Sequence, residues 1–301
     1  MGLGVSAPAP VLGVLGDIAE DVVVWQQAPL AVGSDTPSRI VRTRGGSAAN
    51  VAAFAAPLVA TRFLGCVGDD AAGSAVVRAL TSEGVDVRVT TGSRTGVIVV
   101  LVDAVGERTM LPDRGANGEL ADVPGAWLDD LACLHVTAYS LLTEPTATTC
   151  ARALRRVRGL TSVDASSASV LRTLGPEAFS AWVERLDPDV VFANAEEAHL
   201  LGWDVHAAAP RLTIVKHGRE PVLVRTRAGA AAHPVPVVAD ARDSTGAGDA
   251  FAAGFLAGLL RSPAADLRSR RPDDPALAAW CRLGHDRAAG VLTRPGAGRP
   301  L

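Results

Sequence analysis

Short apolar runs alternate with longer stretches of helical length through most of the chain. The apolar runs that we expect to form buried strands are 11–18, 61–67, 133–139, 161–164, 190–193 and 212–215. The stretches that we expect to form helices include 69–82, 144–157, 250–260 and 275–292. A further helix should begin after the glycines at 45–46, others should end at 186, and one should begin at 195. Strands of this kind alternating with helices of about a dozen residues predict an α/β fold, in which helices cover both faces of a mostly parallel central sheet.

Four further segments do not fit this alternation. Residues 21–25 and 39–42 read as strands before any good helix, and 96–102 and 108–111 read as a hairpin. We expect these segments to pair as a small β-sheet lid outside the main sheet, with the lid strands within about 19–44 and 94–114. We expect segments 222–225 and 232–238 to form antiparallel strands at an edge of the main sheet. No internal repeat is visible, so residues 1–301 are predicted to form a single domain with this lid.

Composition narrows the class of protein. The 301 residues are 48% hydrophobic, with a net charge of −3 and a pI near 6.1, which provides no positive field for nucleic acid. The four cysteines are widely spaced and form no C-x-x-C pair, so neither a disulfide framework nor a zinc site is predicted. No run reaches the roughly 18 apolar residues of a membrane-spanning helix, and no signal peptide is visible. We therefore expect a cytoplasmic protein that binds neither nucleic acid nor membrane.

The stretch 243–255, D-S-T-G-A-G-D-A-F-A-A-G-F, combines a Gly-rich turn, a carboxylate and the start of a helix. Unpaired backbone N–H groups and the helix dipole bind anions such as phosphate, and the small residues Gly246, Ala247 and Gly248 allow close approach. Asp249 would then accept the proton of a hydroxyl that attacks a phosphoryl group. The structural alternative is that Asp249 caps the helix.

Two signatures in this order resemble those of the ribokinase-like carbohydrate kinases, the phosphofructokinase-B type family. The stretch 243–255 matches the second signature, D-[ST]-x-G-A-G-D-x-F, and G-G-x-x-x-N-V-A at 45–52, followed by G-x-V-G-x-D-x-x-G at 65–73, resembles the first. The resemblance implies a ribokinase-like three-layer α/β/α fold. It also implies an ATP-dependent kinase that transfers the γ-phosphoryl group to a primary hydroxyl of a carbohydrate.

The resemblance also implies roles for individual residues. Asp249 would be the catalytic base, and Gly246, Ala247 and Gly248 would form the anion hole. The candidate substrate-binding residues are Asp17, Asp21, Gly45, Gly46, Asn50, Asn117 and Tyr139, and the candidate nucleotide-binding residues are Asn194, Glu197, Lys216 and Gly218. Besides ATP, the cofactors implied are Mg²⁺, bound by Glu197 through water, and K⁺, for which Asp243 and Thr245 are candidate ligands.

Some positions depart from the family pattern or carry a second interpretation. Ala19 stands where relatives often have a sugar-binding Asn, and the Glu that ribokinases have near Tyr139 is missing, which argues against ribose itself. Asn194-x-x-Glu197 is also the pattern of a helix N-cap with first-turn acids. Asp17 would equally cap a turn.

Rival classes are weaker on this sequence. Lys216 is the only lysine, and neither a Walker A loop nor a protein-kinase pattern surrounds it, while the 13–17 stretch lacks the third glycine of a dinucleotide-binding motif. Two alternatives stay open: a nucleoside kinase of the same fold, and a non-catalytic sugar-binding regulator. Pairing of two lids edge to edge would make the protein a homodimer.

Overall fold

The structure, a computed structural model, describes residues 9–203, 211–226, 229–238, 244–262, 267, 274–293, 298 and 301. The strands are β1 Val11–Leu15, β2 Ala19–Gln26, β3 Ser38–Gly45, β4 Ala60–Gly68, β5 Asp86–Gly92, β6 Gly96–Val102, β7 Arg108–Asp113, β8 Leu131–Thr137, β9 Leu160–Asp164, β10 Val190–Asn194, β11 Leu212–His217, β12 Glu220–Thr226 and β13 Gly229–His233. The α-helices are α1 Ser47–Ala55, α2 Ala71–Ser82, α3 Thr146–Arg156, α4 Ala168–Leu174, α5 Pro176–Leu186, α6 Ala195–Leu200, α7 Ala247–Arg261 and α8 Asp274–Leu292.

Nine strands form the main sheet, in the order β13-β12-β11-β10-β9-β8-β1-β4-β5. The pairs from β11 through to β5 are parallel, whereas β12 and β13 add antiparallel strands at one edge. Parallel strands place all their carboxyl ends at one edge of the sheet, which is where α/β proteins bind ligands. The mostly parallel sheet predicted from the alternation is confirmed.

Two hydrophobic cores cover the two faces of the main sheet. One contains side chains from α1, α2, α7 and α8 together with Leu12, Val14 and Phe192. The other contains side chains from α3, α4, α5 and α6 together with Leu15 and Val191. Because successive residues of a strand point to opposite faces, each central strand contributes to both cores. The result is the expected α/β/α arrangement of three layers.

The lid is a separate four-stranded sheet in the order β3-β2-β6-β7. Strand β2 pairs antiparallel with β3 and parallel with β6, and β6 pairs antiparallel with β7. The predicted hairpin and the predicted pairing of the four lid segments are therefore found. Strand β3 leads through Gly46 directly into α1, so the lid and the main sheet meet where the first family signature lies.

The structure differs from the predicted elements at three places. Strand β1 ends at Leu15 instead of residue 18, and β5 pairs with β4 at the sheet edge although no strand was predicted there. The second antiparallel edge strand is Gly229–His233 instead of 232–238. Pro234 and Pro236 explain the last difference, because proline has no N–H with which to extend a ladder.

Candidate active site

A cavity of about 1020 Å³ lies between the carboxyl edge of the main sheet and the lid. The sheet side contributes Asp164 and Lys216, and the lid contributes Ile98 and Val100. Most of the residues predicted for the site line this cavity: Asp17, Asp21, Gly46, Asn50, Tyr139, Asn194, Glu197, Lys216, Gly218, Thr245, Gly246, Ala247, Gly248 and Asp249. Gly45 and Asn117 are not among the lining residues, and Asp243 lies outside the described residues.

The Gly-rich turn forms the start of α7. Gly246 has φ 77° and ψ 0°, the left-handed conformation that glycine adopts without a steric penalty, and its carbonyl accepts the N–H of Ala250 over 2.9 Å. The N–H groups of Gly248 and Asp249 lie in the first turn of the helix, where no intrahelical acceptor exists. They line the cavity together with the positive end of the helix dipole. A helix start with this geometry is chemically suited to bind an anion.

Asp249 lies at this helix start, and its two carboxylate oxygens are held by α1. The Ser47 hydroxyl donates to Oδ1 over 2.8 Å, and the Asn50 amide donates to Oδ2 over 3.0 Å. Burial raises the pKa of Asp249 from 3.8 to about 7, although the hydrogen bonds from Asn50 and Ser47 act in the opposite direction. A carboxyl group with a pKa near neutrality can exchange a proton at physiological pH.

Both ends of the Asn50 amide are engaged by protein atoms. The nitrogen donates to Asp249, and Oδ1 accepts a hydrogen bond from Nη1 of Arg44 over 2.9 Å. Asn50 was predicted to bind sugar hydroxyls, and it does line the cavity. In the structure its side chain contacts Asp249 and Arg44, and sugar binding by Asn50 stays a prediction.

Asp17 holds the beginning of α1. Its Oδ2 accepts from the N–H of Ser47 over 2.9 Å, and its Oδ1 accepts from the N–H of Ala48 and from the Thr137 hydroxyl, each over 3.1 Å. The N-cap residue Gly46 has no side chain to satisfy these N–H groups, so Asp17 supplies the acceptor from the end of β1. These are the contacts of the structural alternative for Asp17, a cap, although the residue also lines the cavity.

Asp21, on lid strand β2, has a different environment. Its Oδ1 is buried and has no hydrogen-bond partner among the described residues. Burial raises the pKa of Asp21 from 3.8 to about 7, against the lowering effect of the nearby Arg44 charge. Asp21 also lines the cavity, where its carboxyl group is chemically suited to bind a ligand hydroxyl.

Of the predicted substrate-binding residues Asn117 and Tyr139, only Tyr139 lines the cavity. Asn117 Oδ1 accepts from the backbone N–H of Ile18 over 3.0 Å, so this side chain joins the lid region to the end of β1 and does not line the cavity. Tyr139 lines the cavity, and the guanidinium of Arg114 lies over its ring at 5.2 Å. Burial raises the pKa of Tyr139, so its phenol stays protonated at neutral pH.

Lys216 forms a largely buried ion pair that the sequence did not indicate. Its Nζ donates to Oδ2 of Asp164 over 2.9 Å. Burial alone would lower the pKa of Lys216, but the charges of Asp164 and Glu197 outweigh burial and raise it. The ammonium group is therefore charged at neutral pH, and it lies close to Gly248, where a β-carbon would be 3.3 Å from Nζ.

Asn194 and Glu197 form a capping box at the start of α6. Glu197 N–H donates to Asn194 Oδ1 over 2.9 Å, and Asn194 N–H donates to Glu197 Oε2 over 2.7 Å. This is the structural alternative for the N-x-x-E pattern, and both residues also line the cavity. Burial, with the negative charge of Asp164, raises the pKa of Glu197 to about 7. A cation bound in the cavity nearby would therefore stabilise the ionised form of Glu197.

The structure bears differently on the predicted Mg²⁺ and K⁺ sites. No cluster of three or more metal-ligating side chains exists within the described part of the chain. Asp164 and Glu197 nevertheless present carboxylates beside the cavity, and this oxygen donor set suits Mg²⁺, which usually keeps several water ligands. For K⁺, Thr245 is the one described candidate ligand, and its hydroxyl accepts a hydrogen bond from Nη1 of Arg108 on lid strand β7. A positively charged guanidinium thus stands beside the position predicted for K⁺.

Sequence reasoning missed three residues of this site: Arg44, Ser47 and Asp164. Ser47 contacts Asp249 across 202 residues of chain, and Arg44 contacts Asn50, which in turn contacts Asp249, so no local pattern could reveal that these residues belong to the site. Asp164 carried a usable signal, because it is an acidic residue at the carboxyl end of a predicted buried strand. His135 is fully buried, with Nδ1 2.9 Å from the Ser162 hydroxyl, so it packs in the core and does not line the cavity.

A three-layer α/β fold with an anion-binding helix start, an adjacent carboxylate and a lid defines a class, the small-molecule phosphotransferases. The chain belongs to the pfkB family of carbohydrate kinases, whose family model matches residues 12–301. It is therefore an ATP-using kinase that acts on a sugar or a nucleoside.

Curated relatives and solved structures agree with this assignment. A fructokinase of Klebsiella pneumoniae is 32% identical over 93% of this chain and 94% of its own length. An ATP-dependent ribose-1-phosphate kinase of Halopiger xanaduensis is 37% identical over 72% of this chain and 73% of its own length. The structure of a fructokinase with bound ATP from Xylella fastidiosa has a TM-score of 0.81 at 24% identity, over 95% of this chain and 93% of that one. This last likeness confirms the predicted ribokinase-like fold. None of the described helices is both long and apolar enough to cross a membrane.

Proposed function

We propose that this kinase transfers the γ-phosphoryl group of ATP to a primary hydroxyl of a carbohydrate, with Asp249 as the catalytic base. The observation that carries the proposal is the position of Asp249. Its carboxylate is held by Ser47 and Asn50 beside the first-turn N–H groups of α7, inside the cavity. A base and an anion site that adjoin in this way are what in-line phosphoryl transfer to a hydroxyl requires.

Charge on the transferring phosphoryl group would be offset from two sides. The first-turn N–H groups of Gly248 and Asp249 would donate hydrogen bonds to its oxygens, as preorganised donors do in an anion hole. Lys216, charged and close to Gly248, adds a positive charge. Mg²⁺, held through water by Glu197 and Asp164, would neutralise further charge on the phosphates of ATP.

The cavity offers separate environments for the two substrates. The apolar residues Val222, Val235, Val237, Ala288, Ala289 and Leu292 line one part and suit the base of the nucleotide. Asp21, which lines the cavity, would accept a hydrogen bond from a sugar hydroxyl. The contact from Arg108 on β7 to Thr245 supports a lid position that covers the site and keeps water from the phosphoryl group.

A homodimer through the lid remains part of the proposal. Ile40 on β3 and Met110 and Leu111 on β7 are large apolar side chains exposed by 50% or more on the two outer strands of the lid. An exposed apolar edge of this kind favours pairing with a second chain. If light scattering of the purified protein gives the mass of one chain, the proposed homodimer is refuted.

The function is tested by ADP release from ATP and Mg²⁺ across fructose, ribose, ribose 1-phosphate, other sugars, sugar phosphates and nucleosides. We expect one sugar or sugar phosphate to give the signal, whereas a nucleoside signal would favour the nucleoside-kinase alternative. Asp249→Asn should then reduce kcat by orders of magnitude while acceptor binding, measured by calorimetry, persists. Near-normal turnover in that variant would refute the role of Asp249. ATP binding with no turnover on any acceptor would favour the regulator.

A further inference from the structure

Arg44 is an almost fully buried arginine next to the active site. Its side chain, on lid strand β3, is 1% exposed, and Nε lies 3.3 Å from Oε2 of Glu83 at the end of α2. Burying a guanidinium group is unfavourable unless it is paired and hydrogen-bonded, and burial lowers the pKa of Arg44 in spite of the nearby acids. The ion pair with Glu83 offsets the charge on one side of the guanidinium, although Nε and Oε2 do not meet hydrogen-bond geometry. The other side faces Asn50.

The contact between Arg44 and Asn50 determines which way the amide of Asn50 points. A guanidinium can only donate hydrogen bonds, so the atom of Asn50 that faces Arg44 must be the carbonyl oxygen. The amide nitrogen then faces Asp249, where a carboxylate can only accept. Arg44, Asn50 and Asp249 thus form a chain of hydrogen bonds in which each orientation is fixed by the previous one.

We propose that Arg44 is a positioning residue for Asp249: by holding the oxygen of Asn50, it directs the Asn50 amide to the carboxylate and fixes that carboxylate in the cavity. This inference rests on the proposed function of Asp249 as the base. Arg44 itself is not among the residues that line the cavity, so it acts through Asn50 and not by contact with the substrate. Its removal should therefore affect kcat more than the KM of the acceptor or of ATP.

The charge of Arg44 should also be visible in the pH profile. The groups that face Asp249 are Ser47, Asn50, Asp164, Lys216, Tyr139 and Arg44. A positive charge and a directed donor both favour the ionised carboxylate. Loss of Arg44 should therefore move the acid limb of kcat, which reports the base, to higher pH.

The test compares the double variant Arg44→Met with Glu83→Gln, the single variant Arg44→Lys, and a control. The double variant removes both members of the ion pair, so that no buried charge is left without its partner. Arg62→Met is the control, because Arg62 also forms ion pairs, with Asp86 and Asp130, but does not line the cavity. Thermal unfolding shows that each variant is folded at the assay temperature.

We expect kcat of the double variant to fall about 10- to 100-fold, the effect of losing a charge-assisted hydrogen bond. Its acid limb should move up in pH, and Arg44→Lys should recover part of kcat. Arg62→Met should keep the wild-type kcat and profile. A folded double variant with kcat within about twofold of wild type, or with a raised acceptor KM at unchanged kcat, would overturn the inference. Failure of the proposed function itself is recognised separately, by normal turnover in Asp249→Asn.

Discussion

The carboxylate of Asp21 lies directly against the α-carbon of Gly45, so that a β-carbon at position 45 would overlap Oδ1, Cγ and Oδ2 of Asp21. The two residues lie on neighbouring lid strands, β2 and β3. The glycine of the first family signature therefore makes room for an acid of the lid, and that acid reaches the cavity wall. We therefore propose that Gly45 acts in acceptor binding indirectly, through Asp21, because Gly45 itself does not line the cavity.

Gly45→Ala should raise the acceptor KM about tenfold or more, because the new methyl group displaces Asp21 and removes a hydrogen bond to a charged group. Steady-state kinetics with the acceptor found in the panel, and with ATP varied separately, measures this. The KM of ATP should not change. Asp21→Asn, which keeps the shape and removes the charge, should raise the acceptor KM in the same direction. An unchanged acceptor KM in both variants would show that Asp21 does not contact the acceptor.

The control for this experiment is Gly290→Ala, the same chemical change at an exposed position of α8 with no atom within 4 Å of the new β-carbon. It should leave both KM values at the wild-type level. A rise in the control would indicate a general effect of added alanine and not the collision with Asp21.

Asp249 predicts the pH dependence of the reaction. Its pKa is raised to about 7, and the base must be ionised to accept a proton, so kcat/KM should fall as the pH drops below about 7, by roughly tenfold per unit. Above pH 7 Asp249 is already mostly ionised, so its titration should change kcat/KM little. Asp21 also has a pKa raised to about 7, so the profile is repeated with Asp21→Asn. If the acid limb disappears in that variant, Asp21 and not Asp249 controls it.

Local sequence patterns were sufficient for the main elements, because apolar runs and helical periodicity are local properties. The strand β5 was missed although Val87 and Val89 alternate with polar residues, which is a usable local strand signal, whereas β13 was misplaced because its alanines carry little strand preference. The same limit holds in the site. The motif around Asp249 predicted the turn at the start of α7, but it could not predict that Asn50 contacts both Asp249 and Arg44, because the burial of Arg44 depends on packing between β3 and α2.

Asp17→Asn should lower stability more than it affects substrate binding. The carboxylate accepts two backbone N–H groups of α1 and the Thr137 hydroxyl, so replacing one oxygen by an amide nitrogen opposes a donor with a donor. The free energy of unfolding should fall by about 2 kcal/mol, the value of a hydrogen bond to a charged group, as measured by urea denaturation. Unchanged stability with a tenfold higher acceptor KM would instead identify Asp17 as a substrate ligand.

The contact between α7 and α8 gives a prediction about stability alone. Helix α7 carries the anion-binding turn, and at Gly254 a β-carbon would overlap the backbone oxygen of Leu283 and lie 2.8 Å from the α-carbon of Gly284 on α8. Backbone atoms of a packed helix cannot move aside singly, so Gly254→Ala should force the two helices apart. We expect the free energy of unfolding to fall by about 1–3 kcal/mol, as overpacking does elsewhere. Gly290→Ala, in open space on α8, should instead raise it by up to about 1 kcal/mol, because alanine favours the helix over glycine. Urea denaturation of the two variants measures both effects, and a Gly254→Ala protein as stable as the Gly290→Ala protein would contradict the close packing of these helices.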